Sequence, residues 1–196
     1  MPSGAGAQTA ARSYTISASE SNFWVSVGKA GLFSALGHEH EIGIKSFKGR
    51  AVVPQTGASG GSLELEIETK SLVVLDKEVD EKDRGKIFTD MHNEVLESEK
   101  FPQCIFKSVS VTDLKKTGEG SYNLVLNGDL TLHGVTKRIA IPLTATITAA
   151  QLRAVGKYTL KQTDFGIRVF SAGGGTVKVK NEVVVNFDII AKNKTS

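Results

Sequence analysis

The 196 residues, 40% hydrophobic and 23% charged with a single cysteine, Cys104, suit one domain whose core stands without staples. One cysteine excludes an internal disulfide framework and a thiolate-rich zinc centre. The formal net charge of +3, from 24 Lys and Arg against 21 Asp and Glu, is too balanced to signal nucleic acid, and no window holds the roughly 20 apolar residues of a membrane-spanning helix.

The chain begins with MPSGAGAQTAA, which is small and uncharged and lacks the cationic start and apolar centre of a secretory signal. Residues 1–12 are therefore expected to form a disordered tail ahead of a domain at 13–192. A tail of this composition is also what surrounds a signal-peptidase site, so a periplasmic or secreted location stands beside a cytoplasmic one.

From Tyr14 onward the dominant period is two, broken by Gly, Asn, Asp and Ser clusters, which predicts antiparallel strands with one buried face. Strands are expected at 14–18, 22–28, 41–53, 62–75, 104–111, 122–132, 136–148, 152–161 and 177–190. In the fourth, Leu63, Leu65 and Ile67 alternate with Glu64, Glu66 and Glu68. The sixth sets Leu124, Leu126, Gly128, Leu130 and Leu132 on one face, the seventh Ile139, Ile141, Leu143, Ala145 and Ile147, and the last Val183, Val185, Phe187 and Ile189. A strand of ten residues or more is over about 30 Å long. Such strands in a meander leave long open edges unless the sheet closes, so the expected fold is all-β, an antiparallel eight-stranded barrel, with a two-sheet sandwich as the alternative.

Residues 76–98 depart from period two. Asp76 is a candidate N-cap, and Val79, Ile87, Met91 and Val95 recur at multiples of four on a polar surface, so a short helical insertion is expected here, with Gly85 as a possible break. Between Asp76 and Lys100 the net charge is −4, which leaves +7 for the rest of the chain. A solvated helix face accounts for the acidic run. The basic excess elsewhere leaves room for an anionic headgroup or a transient membrane-surface contact.

Candidate chemistry is sparse. In Gly37-His38-Glu39-His40-Glu41, an extended backbone projects His38 and His40 from one side, a spacing that lets two imidazoles share a metal ion. A third ligand would have to come from His133, His92, Glu94 or Glu41, and no spacing selects among them. Cys104 has no neighbouring cation to activate it and is expected to be buried as a small apolar side chain. Glu64, Glu66 and Glu68 alternate with apolar residues and so face water, where carboxylates make poor general acids. Gly173-Gly174-Gly175 leads into a strand rather than a helix, so it reads as a hairpin and not a phosphate loop. No nucleophile elbow is present. The templates point away from an enzyme and call for no cofactor.

What remains is the interior. An eight-stranded barrel is just wide enough to be filled by its own side chains or to hold one slender ligand. Each methylene buried there contributes about 0.8 kcal/mol, so on the order of ten give roughly 8 kcal/mol before the costs of association.

Particular residues carry more than periodicity does. Leu130-Thr131-Leu132-His133-Gly134-Val135-Thr136-Lys137, preceded by Asn127-Gly128-Asp129 and followed by Ile141-Pro142-Leu143, resembles the hallmark of the YceI-like family of polyisoprenoid-binding, lipocalin-like barrels. Phe47-Lys48-Gly49, the passage from Leu96-Glu97-Ser98 through Phe101-Pro102 to Phe106-Lys107-Ser108, and Asp164-Phe165-Gly166-Ile167 with the later Val177-Lys178-Val179 agree with it in order. The resemblance spans residues 14–191 and implies a non-enzymatic barrel, commonly periplasmic, with an apolar tunnel for isoprenoid lipid chains or isoprenoid quinones, for transport or storage. On this reading the ligand lies against Leu65, Ile67, Phe106, Leu124, Leu126, Leu130, Ile139, Ile141, Val185 and Phe187, with His38, His40 and His133 near its polar end. The Phe33–His40 stretch is denser in histidine than the family's pattern, and imidazoles at a tunnel mouth could meet a quinone carbonyl or a phosphate; a metal-binding protein or metalloenzyme using the His38/His40 pair stands as the alternative function. Homodimerisation stays open.

Overall fold

A computed structural model describes residues 11–30, 40–55, 57–172, 174 and 177–193. The first ten residues of the expected tail, the Gly37–Glu39 part of the histidine motif with His38, and Gly173 and Gly175 lie outside the described residues. Ala11 and Arg12, placed in the tail by sequence, already belong to the first strand.

The strands are β1 (Ala11–Ile16), β2 (Asn22–Ala30), β3 (His40–Ile44), β4 (Phe47–Pro54), β5 (Ser62–Glu68), β6 (Leu72–Val74), β7 (Gln103–Gly118), β8 (Ser121–Leu132), β9 (Val135–Ile147), β10 (Gln151–Lys161), β11 (Ser171–Ala172) and β12 (Val177–Asn193). All belong to one antiparallel sheet. Three pairs are halves of single bent staves: β1 with β2, β3 with β4, and β5 with β6. β1 and β2 lie along the same partner, Ile16 opposite Ala191 and Asn22 opposite Asp188, and the 3-10 turn Ala18–Glu20 absorbs the extra residues. A second 3-10 turn, Thr69–Ser71, bends β5 into β6. The resulting eight staves close into a barrel, because β1 pairs with β4 on one side and β12 on the other. The closed ladder excludes the sandwich.

The seam is fastened by Tyr14, which is fully buried and whose hydroxyl donates to the Thr148 carbonyl at 2.7 Å. On the outer face Arg153 meets Asp188, and Arg138 meets Asp129, across neighbouring strands. Exposed pairs of this kind contribute at most about 1 kcal/mol each.

The helical insertion is shorter than the sequence suggests. α1 (Glu81–Asp90) is capped by Asp80, whose carboxylate accepts from the Asp83 amide at 2.8 Å, so Asp80 and not Asp76 is the N-cap. Gly85 leaves the helix unbroken. It passes into a single π-helical turn, Met91–Val95. Asp76 is held elsewhere, as described below.

Candidate functional site

Inward side chains of the staves enclose a cavity of about 310 Å³. This lies at the small end of the range for small-molecule sites. Leu65, Ile67, Phe106, Leu124, Leu126, Leu130, Ile139, Ile141, Val185 and Phe187 all line it. No charged side chain and no histidine lies on the wall among the described residues. Its polar side chains are Ser62, Thr69, Tyr158 and Gln162. Thr69 is already engaged, donating to the Phe101 carbonyl at 2.7 Å, and the Gln162 amide donates to the Lys180 carbonyl at 2.9 Å. A wall this poor in polar partners leaves any polar group of a guest unpaired, whereas a hydrocarbon loses nothing by entering.

Two small-residue features open the space. Ala145 and Ala154 face each other across β9 and β10, and both line the cavity. At Gly128 the Phe106 ring lies across the backbone, so that a Cβ would run into the Phe106 Cζ and the Lys107 carbonyl. Gly128 thus lets Phe106 lie flat against the wall instead of across the lumen.

The ends are built from segments the period-two pattern does not describe. After β4 the chain folds back, and Ala58, 4% exposed, packs into the main core cluster with Tyr122 and Leu124. At the other end Met91, Val95 and Leu96, from the π turn and the residue after it, reach the cavity wall. The fourfold spacing marked Met91 and Val95 as apolar, but only the change from α to π helix turns that side toward the barrel. β2 and β3 add Phe23, Val25, Val27, Ile42 and Ile44, whose alternation was visible without indicating their place on the lumen.

The histidines have other partners. His40 shares the inward face with Ile42 and Ile44 at the barrel end, and its Nδ1 lies 2.6 Å from Asp76 Oδ2, while Asp76 Oδ1 accepts from the Glu41 amide at 2.9 Å. His92 Nε2 is 3.0 Å from the Leu72 carbonyl, which can only accept, so that nitrogen carries hydrogen; its Nδ1 meets the Ser98 hydroxyl at 2.8 Å. His133 and Gly134 form the turn between β8 and β9 with positive φ of 51° and 75°, the backbone of a two-residue hairpin. The His133 ring packs against Phe101 with centroids 4.1 Å apart and planes tilted by 47°, and its Nε2 lies 2.9 Å from Glu97 Oε2, off the line of a hydrogen bond. Neither His40 nor His133 lines the cavity. The His-Gly pair in the family hallmark is thus a turn clamped to the 97–101 segment. His133→Ala is expected to lower stability by about 1–2 kcal/mol in urea titrations while leaving lipid affinity unchanged. A loss of lipid affinity without loss of stability would contradict this placement.

Among the described residues no three His, Cys, Asp or Glu side chains converge to hold a metal ion, and His38 lies outside them.

Cys104 faces the cavity, and burial pushes its thiol up to about 12 from an ordinary value of 9.0. Because the folded value is raised, the burial contributes full stability below pH 9 and loses it as pH climbs from about 9 toward 12, where the unfolded chain ionises first. Wild type is therefore expected to lose melting temperature above pH 9 more steeply than Cys104→Ala. Parallel curves would show the thiol to be hydrated.

With this geometry described, comparison with known proteins is direct. Residues 14–191 match the family model described as the YceI-like domain. A UPF0312 protein of Shewanella denitrificans is 32% identical over 160 residues, covering 78% of this chain and 76% of the relative. One from Shewanella oneidensis is 31% identical over 141 residues, covering 68% of each. Among solved structures, BcnA of Burkholderia cenocepacia superposes with a TM-score of 0.67 at 19% identity, over 89% of this chain and 98% of its own. A polyisoprenoid binding domain from Saccharophagus degradans, implicated in plant cell wall breakdown, gives 0.65 at 13% identity, over 92% and 98%. At these identities the two structures speak for the barrel alone, whereas the family match covers nearly every strand described above. The chain belongs to the YceI-like domain family.

Proposed function

We propose that this protein binds an isoprenoid-type lipid, a polyprenyl chain or an isoprenoid quinone, inside the barrel and carries or stores it without chemical change. The observation that supports this most is the lumen, continuous across all eight staves and without a charged side chain on its described wall. A hydrocarbon chain is the guest such a wall favours. The neighbour from Saccharophagus degradans, described as polyisoprenoid-binding, has the same barrel. The proposal includes a location outside the cytoplasm, in the periplasm or secreted, which fractionation of the native host would test.

Delipidated protein incubated with mixed bacterial lipids and examined by native mass spectrometry is expected to gain the mass of one isoprenoid lipid. Recovery of straight-chain fatty acids alone, or of no lipid, would overturn the reading.

The second reading, a metal-binding protein or metalloenzyme at His38 and His40, draws on one feature. A carboxylate that engages one ring nitrogen, as Asp76 does for His40, orients the other nitrogen for a metal. Zinc or copper retained after dialysis by wild type and lost in His38→Ala, His40→Ala protein would favour it over the lipid reading.

A further inference from the structure

At the helical end of the barrel the apolar wall adjoins a polar space. Val95 lines the lumen and also a separate groove of about 340 Å³ formed with Glu94, Arg168, Val169, Phe170 and Ser171. The chain passes directly from one to the other: Ile167, 3% exposed, lies on the lumen wall, and Arg168, the next residue, lies in the groove. Val95 and the Ile167–Arg168 backbone are thus shared between the lumen wall and the groove.

Its cation is unspent. Arg50 donates to Ser13, Arg84 to the carbonyls of Asp76 and Val79, Arg138 to Asp129 and Arg153 to Asp188, while Arg12, also without a partner among the described residues, lines neither the lumen nor the groove. Arg168 has no hydrogen-bond or ion-pair partner among the described residues. Glu94 faces the same groove. A lumen with no charged side chain on its described wall, beside an exposed guanidinium with no partner among the described residues, divides a ligand into two parts, a hydrocarbon body inside and an acceptor-rich end outside.

We propose that this groove seats an oxyanion headgroup, a phosphate carried on the isoprenoid chain, with Arg168 as the residue that binds it. The inference rests on the lipid reading above and narrows it to one headgroup class. The planar guanidinium presents paired donors that match a phosphate, which a lysine ammonium meets only as a point charge. Val169 and Phe170 flank the position with apolar surface where the first isoprene unit would emerge.

The test displaces a neutral fluorescent dye, N-phenyl-1-naphthylamine, from the full chain with geranylgeranyl phosphate, geranylgeraniol or inorganic phosphate. Wild type is expected to prefer the phosphate ester over the alcohol by on the order of fivefold or more. Arg168→Gln should abolish that preference without altering affinity for the alcohol, Arg168→Lys should keep part of it, and Glu94→Gln should enlarge it. Unchanged alcohol affinity also shows that the variants fold. Equal binding of ester and alcohol by wild type, or the same preference in Arg168→Gln, would overturn the inference and leave the lipid reading standing. If inorganic phosphate cancels dye displacement by the ester at equal concentration, the site belongs to a free anion and the lipid headgroup assignment fails. Displacement by neither lipid would overturn both readings.

Discussion

Ala154→Phe is expected to weaken lipid binding by on the order of fiftyfold while leaving the ligand-free barrel at least as stable as wild type. Ala154 sits opposite Ala145 on the lumen wall, where two small side chains leave space that neither strand fills. A phenyl group there occupies the volume of about three chain methylenes. At about 0.8 kcal/mol each, their exclusion costs the ligand about 2.4 kcal/mol, which gives that fiftyfold change. The same ring gains apolar contacts in the empty protein, so affinity and melting temperature should move in opposite directions. A fall in both would mean that the barrel is already packed at this point and that the substitution only strains it.

The second large effect concerns the seam. Tyr14→Ala is expected to cost about 3–5 kcal/mol in urea titration, the range for truncating a large buried ring, against a total of roughly 5–15 kcal/mol for a typical domain. Tyr14→Phe, which removes only the hydroxyl from the Thr148 carbonyl, should cost about 1 kcal/mol. β1 has six residues yet pairs with two neighbours, and Tyr14 anchors it between β4 and β12. If Tyr14→Ala cost no more than Tyr14→Phe, the seam would depend on the backbone ladder and not on this side chain.

Much of this barrel was legible in sequence because its wall obeys period two. Leu65 and Ile67 alternate with glutamates, and Leu124, Leu126 and Leu130 with polar residues, so the inward sets followed from the backbone alone. The bends were less visible. Residues 62–75 read as one strand, and the structure shows that they are one stave, but the 3-10 turn at Thr69–Ser71 that steers its end leaves no mark in an alternating pattern. The N-cap moved from Asp76 to Asp80 because both are aspartates before a polar run, and only pairing with His40 and the Glu41 amide commits Asp76 elsewhere.

The histidines show the limit of reading chemistry from residue type. His133 was expected, with His38 and His40, at the polar end of the ligand. The turn has positive φ at two successive residues and its imidazole packs at a tilt against Phe101, which gives the same letters a structural use away from the lumen wall. Arg168 carried no signal at all, since an arginine after an apolar residue is common. Its interest comes from having no partner among the described residues, beside a lumen with no charge on its described wall, which is a property of the assembled barrel.

The bond between the first and last strands governs how the molecule comes into being. Tyr14 on the first stave pairs with Asn193 on the last, so the cylinder cannot close until every stave between them has been made. Contacts so distant in sequence form slowly, and until they form the nascent sheet has an open side with its apolar face toward water. Chains whose cylinder is still unsealed are then at their greatest risk of aggregation.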